Sequence, residues 1–272
     1  MRPPLNKDTQ LCISLAARPS NIGTRFHNYL YDELGLDFIY KAFTTTDIAA
    51  AIGGVRALGI RGCSVSMPFK EDVIALVDEM DASATAIQSV NTIVNDNGVL
   101  RASNTDYIAA ATLIREHGID PATPFVLRGS GGMAKAVAAA LRDSGFDNGT
   151  VIARNESRGR ALADELGYSW LATPGTSSAP LLVNVTPIGM AGGAEADDLA
   201  FSRDAIQAAT TVFDVVALPA ETPLIRAARE AGKAVITGAE VIALQAAEQF
   251  ERYTGVRPSA AQILAASEFS RS

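Results

Sequence analysis

The sequence is poor in the residues that usually build metal sites and nucleophilic triads. It has two histidines and two cysteines in 272 residues. His27 and His117 lack neighbours at metal-ligand spacing, and Cys12 and Cys63 lie in apolar runs far from any Cys-x-x-Cys pair. These counts disfavour a zinc site and a Ser-His-Asp triad, so no metal is predicted. The two cysteines are expected to be reduced, buried thiols.

The chain also lacks a surplus of positive charge and a long apolar run. Its formal net charge is −7 at pH 7, whereas nucleic acids and anionic membranes attract basic surfaces, so neither is an expected partner. No apolar run has the length of a membrane span, and the first residues lack the apolar core of a signal peptide. We therefore expect a cytoplasmic protein that binds a small molecule, as a monomer or a homodimer.

The chain does contain an apolar run that leads into glycines and then into an alanine-rich helical pattern. Residues 125–137 read FVLRGSGGMAKAV, which predicts a strand, a tight turn and a helix N-terminus. The free N–H groups of such a helix suit an anion such as a pyrophosphate. The predicted cofactor-binding residues of the turn are Gly129, Ser130, Gly131, Gly132, Met133 and Ala134. From these residues alone, a turn without a ligand is an equally good interpretation.

The next predicted strand, residues 150–153, ends in arginine instead of an acid. In a βαβ dinucleotide-binding unit, an acid at this place binds the ribose 2′-hydroxyl of NAD, whereas arginine accommodates the 2′-phosphate of NADP. Arg154 follows the strand, Arg158 comes one helical turn later, and the first acid is Glu156. The pattern favours NADP over NAD, with Arg154 and Arg158 as binding residues. A solvated helix face is the alternative, chiefly for Arg160.

Strand and helix patterns alternate through the first hundred residues and again after residue 120. Apolar runs at 181–185 and 211–216 suit central strands of a doubly wound sheet. We predict an α/β fold with two domains, an N-terminal substrate domain with a mainly parallel sheet and a Rossmann NADP-binding domain. The C-terminal helices are expected to return to the first domain. The predicted boundaries are 1–104 with 238–272 for the substrate-binding catalytic domain and 105–237 for the Rossmann domain.

Transfer of a hydride to or from a carbonyl carbon requires a partner for the proton on its oxygen. A Tyr-x-x-x-Lys motif is absent, and the lysines are Lys7, Lys41, Lys70, Lys135 and Lys233. Lys70 follows the third predicted strand, and Asp106 lies at the predicted domain junction. A carboxylate beside an ammonium can orient it and relay its proton. A surface lysine and a helix N-cap aspartate are the alternatives that spacing leaves open.

Taken in order, these motifs resemble the shikimate dehydrogenase family nearly end to end. The segments that carry the resemblance are SVSMPFK at 64–70, SVNT at 89–92, NTD at 104–106, GSGGMA at 129–134, ARN at 153–155 and NVTPIGM at 184–190. The resemblance implies an oxidoreductase that interconverts 3-dehydroshikimate and shikimate with NADP, in the chorismate pathway of aromatic amino acid biosynthesis. It also implies that Lys70 and Asp106 are catalytic, that Ser66, Asn91 and Gln245 bind substrate, and that Thr186 and Gly238 bind cofactor.

The chain departs from the family at the end of the site that binds the substrate carboxylate. The family carries a Ser-x-Ser pair there, and this chain has Asn21 and Gly23. A family tyrosine is replaced by Ala217. A lost hydrogen bond to a charged group costs about 1.5–3 kcal/mol, or roughly ten- to a hundred-fold in binding or rate, so we expect slower turnover of shikimate. Alternative carboxylate ligands nearby are Ser20, Thr24 and Arg25.

Two other functions stay open at this point. Quinate or another cyclic hydroxy acid fits a family member with an altered carboxylate site. A non-catalytic, ligand-binding homologue fits less well, because a sensor has no need for the proton-transfer pair Lys70 and Asp106.

Overall fold

The computed structural model describes residues 2–175 and 177–271. Within them the chain divides into two units: unit 1 runs up to Ile108 and resumes at Ala243, and unit 2 is Ala109–Ile242. The domain boundaries predicted above stay a prediction. In the part of the chain that is described, no helix is long and apolar enough to cross a membrane.

Ten α-helices occur in the described residues, and two of them contain the boundaries between the units. The helices are α1 (Ile22–Leu34), α2 (Ile48–Ala57), α3 (Ala82–Thr85), α4 (Thr105–Glu116), α5 (Gly132–Asp143), α6 (Glu156–Leu166), α7 (Arg203–Ala208), α8 (Pro223–Glu230), α9 (Gly238–Thr254) and α10 (Ala260–Arg271). A short 3₁₀ helix spans Asp72–Leu76. The boundary helices are α4 and α9.

Unit 1 is built on a six-stranded sheet of mixed direction. Its strands are β1 (Gln10–Ala16), β2 (Phe38–Thr44), β3 (Gly62–Val65), β4 (Glu79–Met80), β5 (Thr92–Asp96) and β6 (Val99–Ser103), in the order β2-β1-β3-β5-β6-β4. β1 runs parallel to β2 and β3, whereas β5 is antiparallel to both β3 and β6. The sheet is mixed because Asn97 and Gly98, both with positive φ, form the hairpin turn that reverses the chain between β5 and β6.

Unit 2 is built on a six-stranded sheet whose pairs are all parallel. Its strands are β7 (Phe125–Arg128), β8 (Gly149–Ile152), β9 (Ser169–Leu171), β10 (Leu181–Asn184), β11 (Thr211–Asp214) and β12 (Ala234–Ile236), in the order β12-β11-β10-β7-β8-β9. Counted from β7, this is the 3-2-1-4-5-6 order of a Rossmann fold. The strand order therefore reverses between β7 and β10, the place where such sheets bind dinucleotides.

The helix after β7 shows how sequence pattern builds this unit. Ala134, Val137, Ala138 and Leu141 of α5 are all buried, at the i, i+3, i+4 and i+7 positions that line one face of a helix. That face packs against the sheet, and α5 begins shortly after the end of β7. The alanines allow the helix backbone to come close to the strands.

An aromatic cluster fills the part of the unit 1 core beside α1. His27 is completely buried in it, with its ring stacked on Tyr40 at 4.4 Å between centroids and near Tyr31, Phe250 and Tyr253. Neither ring nitrogen of His27 has a hydrogen-bond partner among the described residues. Burial lowers the pKa of His27 to about 3, so the imidazole is neutral at physiological pH.

Candidate active site

Lys70 and Asp106 form a direct ion pair within unit 1. Lys70 Nζ lies 2.6 Å from Asp106 Oδ2, and the side chains are 21% and 5% exposed. The backbone fixes Lys70 as well, because its carbonyl accepts a hydrogen bond from Val90 N at 2.8 Å. Lys70 is therefore not a free surface lysine.

Asp106 is likewise not the cap of α4. Asn104 has that role, because its Oδ1 accepts a hydrogen bond from Tyr107 N at 3.1 Å. Asp106 lies in the first turn of the helix with its carboxylate directed to Lys70. The structure therefore excludes both alternatives left open by the spacing, a free surface lysine at position 70 and an N-cap aspartate at position 106.

Asn91 lies next to this pair, and its side-chain amide is held in one orientation. Oδ1 accepts hydrogen bonds from Thr105 N at 2.8 Å, from Thr105 Oγ1 at 3.1 Å and from Thr92 Oγ1 at 2.8 Å. Three donors on one oxygen fix the amide, since a rotated amide would place its NH₂ against them. Nδ2 has no hydrogen-bond partner in the described structure, although the residue is 1% exposed. This donor is buried without a protein acceptor, which is uncommon for a polar group in a folded protein.

Gln249 supports Asn91 from α9, and sequence reasoning did not identify it. Its Nε2 donates to Thr92 Oγ1 at 3.1 Å and to Asn91 O at 3.4 Å, and the side chain is buried. The predicted ligand Gln245 is half-buried one helical turn earlier. Residues four apart share a helix face, so this spacing was the available signal that Gln249 lies on the same side as Gln245.

The remaining predicted substrate ligands lie where β1 and β3 end. Ser66 is exposed just after β3, and its N–H donates to Leu15 O at 2.9 Å. Asn21 is exposed immediately before α1, and its side chain caps no helix N–H. A Cβ placed on Gly23 would lie 3.6 Å from the Tyr40 hydroxyl oxygen, an ordinary contact distance. A serine therefore fits at position 23.

The glycine-rich turn of unit 2 has the shape that a dinucleotide needs. Gly129 has a φ of +135°, and a Cβ there would lie 2.8 Å from Val185 Cγ2, so only glycine fits. A Cβ at Gly131 or Gly132 would meet nothing within 4 Å, so the backbone at the start of α5 faces open space. Met133 is half-buried and Ala134 is fully buried beneath the turn. The residues present fit a phosphate at this helix start.

A pocket of about 380 Å³ opens on this turn at the carboxyl ends of β7, β8 and β10. The predicted residues that line it are Gly129, Ser130, Gly131, Arg154 and Thr186. Thr186 is held there because its N and Oγ1 both donate to Asn184 Oδ1, at 3.1 and 2.6 Å. Asn184 is fixed in turn by Asp214 Oδ1 at 2.9 Å, and burial raises the pKa of Asp214 to about 6.

Five predicted cofactor ligands are not among the described lining residues of this pocket: Gly132, Met133, Ala134, Arg158 and Gly238. Arg158 is exposed in the first turn of α6 and is not among the described lining residues. Gly238 is buried at the start of α9, where a Cβ would lie 2.3 Å from the carbonyl carbon of Val216. Gly238 is thus required for packing, and contacts of all five residues with a cofactor stay a prediction. Arg128 lines the pocket and was not predicted.

Comparison with known proteins identifies the family of the chain. Residues 21–93 match the family model of the shikimate dehydrogenase substrate binding domain. A shikimate dehydrogenase-like protein of Haemophilus influenzae is 58% identical over 98% of this chain and 98% of its own. The chain belongs to the shikimate dehydrogenase family. The predicted membership is confirmed.

Other relatives of this family carry the enzyme name itself. A shikimate dehydrogenase (NADP(+)) of Rubrobacter xylanophilus is 34% identical over 94% of both chains. The shikimate 5-dehydrogenase of Thermus thermophilus, solved in complex with NADP(H) and shikimate, superposes with a TM-score of 0.86 at 28% identity and covers 96% of this chain and 99% of its own. The predicted α/β fold with a Rossmann domain is confirmed.

Three of the predicted site residues lie close together in unit 1. Lys70 pairs with Asp106, and Asn91 accepts a hydrogen bond from Thr105, the residue before Asp106. The residues that depart from the family, Asn21 and Gly23, lie at the start of α1. Among the described residues, no cluster of histidine, cysteine and acidic side chains could hold a metal ion.

Proposed function

We propose that this protein is an NADP-dependent oxidoreductase that interconverts 3-dehydroshikimate and shikimate, with slow turnover because its carboxylate-binding serines are replaced. The observation that carries the proposal is the unpartnered Nδ2 of Asn91, held by Thr105 next to the Lys70–Asp106 pair. A buried donor without a partner costs about 1–3 kcal/mol. A ring hydroxyl oxygen of the substrate satisfies it.

The residues of unit 1 divide the chemistry between them. The Nδ2 group of Asn91 donates to a ring hydroxyl and so orients the ring. During reduction the ammonium of Lys70, which Asp106 Oδ2 holds at 2.6 Å, donates a proton to the carbonyl oxygen and becomes a neutral amine. During oxidation the neutral amine takes the proton of the reacting hydroxyl and becomes the ammonium again. When bound, NADP accepts the hydride and NADPH supplies it.

Unit 2 supplies the residues that would hold this cofactor. The backbone of Gly129, Ser130 and Gly131 borders the pocket, and Arg154 offers a forked donor for the 2′-phosphate. The naming of relatives as NADP(+) enzymes supports the same cofactor. Catalysis on a ring CH–OH agrees with the activity named for those relatives.

The first experiment is steady-state oxidation of shikimate and of quinate, each with NADP and with NAD. We expect shikimate with NADP to be turned over faster than quinate with NADP, and also faster than shikimate with NAD. Quinate as the better substrate would overturn the choice of substrate and leave the reaction class standing. No turnover of either acid by protein that binds NADPH would overturn the proposal in favour of a non-catalytic homologue.

The carboxylate end of the site gives a second prediction. The double variant Asn21→Ser, Gly23→Ser restores two hydroxyls, and the space at Gly23 accommodates the new Cβ 3.6 Å from Tyr40. We expect kcat/KM for shikimate to rise about ten-fold or more, mainly through KM, because each hydroxyl adds a hydrogen bond to a charged group.

Gly53→Ser is the matched control for that variant. Gly53 lies on α2 in the same unit, and a Cβ there meets nothing within 4 Å, so a serine changes no site. If the double variant keeps its NADPH affinity and its kcat/KM stays within two-fold of the control, the missing serines do not explain slow turnover.

A further inference from the structure

An acid that the sequence pattern does not show lies beside Arg154, one of the residues that line the cofactor pocket. The strand that should end in an acid for NAD, β8, is followed by Arg154. The structure brings Glu195, from the loop between β10 and α7, to 3.5 Å from Arg154 Nη1, measured to Oε1. Its position is set by the backbone, because the Glu195 carbonyl accepts a hydrogen bond from Gly189 N at 2.9 Å. A carboxylate is therefore present at the edge of the 2′-phosphate site.

The same pocket contains a second arginine. Arg128 ends β7 and is paired in register with Ile152 of β8, while Arg154 follows two residues after Ile152. Both arginines line the pocket. Arg128 is half-buried and donates to the carbonyl of Ala200, so its guanidinium is held in place and is less exposed than that of Arg154.

The charges of these three groups act on one another. Burial lowers the pKa of Arg128, Glu195 raises it, and Arg154 lowers it. The guanidinium remains charged at neutral pH, because an arginine keeps its proton in proteins. Arg128, Arg154 and Glu195 are thus close enough to interact, and the Glu195 carboxylate pairs with Arg154, the more exposed of the two arginines.

We propose that Arg128 and Glu195 set the preference between NADP and NAD: Arg128 joins Arg154 in binding the 2′-phosphate, and Glu195 opposes it. This inference rests on the cofactor half of the proposed function. A phosphate monoester carries a charge of about −1.5 to −2 at pH 7 and accepts forked hydrogen bonds from guanidinium groups. It gains from both arginines and is repelled by the carboxylate. A ribose 2′-hydroxyl instead donates a hydrogen bond to that carboxylate, as it does to the acid of NAD-binding folds.

The test compares adenosine 2′,5′-bisphosphate with 5′-AMP, which differ only in the 2′-phosphate, by calorimetry on the full chain. Arg128→Met is expected to lower the affinity for the bisphosphate about ten- to a hundred-fold and to change that for 5′-AMP less than two-fold. Glu195→Gln is expected to raise the ratio of the two affinities at least about three-fold, because it removes a like charge. Arg226→Met is the matched control, since Arg226 also donates to a backbone carbonyl, that of Glu221, but on exposed α8.

The outcomes separate this inference from the proposed cofactor. A wild-type protein that prefers 5′-AMP overturns the assignment of NADP itself. A wild-type protein that prefers the bisphosphate, with the ratio unchanged in Arg128→Met or in Glu195→Gln, overturns only the roles of these residues. If Arg128→Met binds neither nucleotide, the comparison is repeated with Arg128→Lys, which keeps the positive charge but lacks the forked N–H donors of a guanidinium. A wild-type ratio in Arg128→Lys then overturns the role of Arg128.

Discussion

Replacing Lys70 by alanine is expected to lower kcat for shikimate oxidation by about 10²- to 10⁴-fold, the usual contribution of a positioned acid or base. The reason is that Lys70 Nζ is the group that Asp106 holds at 2.6 Å, and no other lysine occurs in the segments that resemble the family's catalytic motifs. The measurement is steady-state turnover with NADP, together with NADPH binding followed by its fluorescence. NADPH affinity should not change, since Lys70 is not among the described residues that line the cofactor pocket.

Lys41→Ala is the matched control for this variant. Lys41 is an exposed lysine of the same unit, on β2, with its Nζ over the ring of Phe43. We expect its kcat to equal that of the wild type. Turnover by Lys70→Ala within three-fold of Lys41→Ala would remove Lys70 from the mechanism and, with it, the interpretation of the Lys70–Asp106 pair as a proton relay.

The second large effect concerns stability in acid. His27 is neutral in the folded protein because burial lowers its pKa from 6.5 to about 3. In the unfolded chain the histidine takes up a proton near pH 6.5, so the folded state binds fewer protons below that pH. Stability is therefore complete above pH 6.5 and is lost as the pH falls towards 3, by about 1.4 kcal/mol per pH unit. Between pH 6.5 and 4.5 the expected loss from His27 is roughly 2 kcal/mol, because the histidine of the unfolded chain is already half-protonated at pH 6.5.

The experiment is urea unfolding of the full chain between pH 4.5 and 7.5. Hydrogen exchange of the amides in α1 monitors the unfolding of unit 1. His27→Phe removes the titrating group and keeps a ring to stack on Tyr40, so its stability should fall less steeply in acid than that of the wild type. His117→Gln, which replaces the partly exposed histidine of unit 2, is the control for the loss of a histidine outside the aromatic cluster. Equal slopes for His27→Phe and the wild type would show that His27 is protonated in the folded state.

Much of the fold follows from local sequence. The apolar runs before Gly129 and around Val183 and Phe213 are long enough, and uniform enough, to indicate buried parallel strands. The edge strands β4 and β9 were not predicted, because they have 2 and 3 residues and show no periodicity. The mixed direction of the first sheet follows from the hairpin, which was predicted, but its pairing with β3 is a long-range contact.

The residues of the candidate sites also divide into those that the sequence identified and those that it did not. Lys70, Asp106 and Asn91 were identified because the family motifs carry them, and the structure adds that Lys70 pairs with Asp106 and that Asn91 contacts Thr105. Arg128, Glu195 and Gln249 were not, because each contacts residues distant in the chain. Asn104 took the capping role that spacing had left open for Asp106. Only the contacts of the folded chain distinguish such neighbours.

Asparagine side chains hold turns in each of the two units. Those of Asn91, Asn104, Asn155 and Asn184 accept hydrogen bonds from the backbone N–H groups of Thr105, Tyr107, Arg158 and Thr186. Under the proposed function, a ligand therefore meets groups whose rotational freedom was lost during folding, and binding at the ring hydroxyls costs little conformational entropy. Asn21 is exposed and caps nothing, so the carboxylate end must lose that entropy when the ligand binds. The protein is rigid towards the ring and adaptable towards the acid group, and analogues altered at the carboxylate should differ less in affinity than analogues that lack a ring hydroxyl.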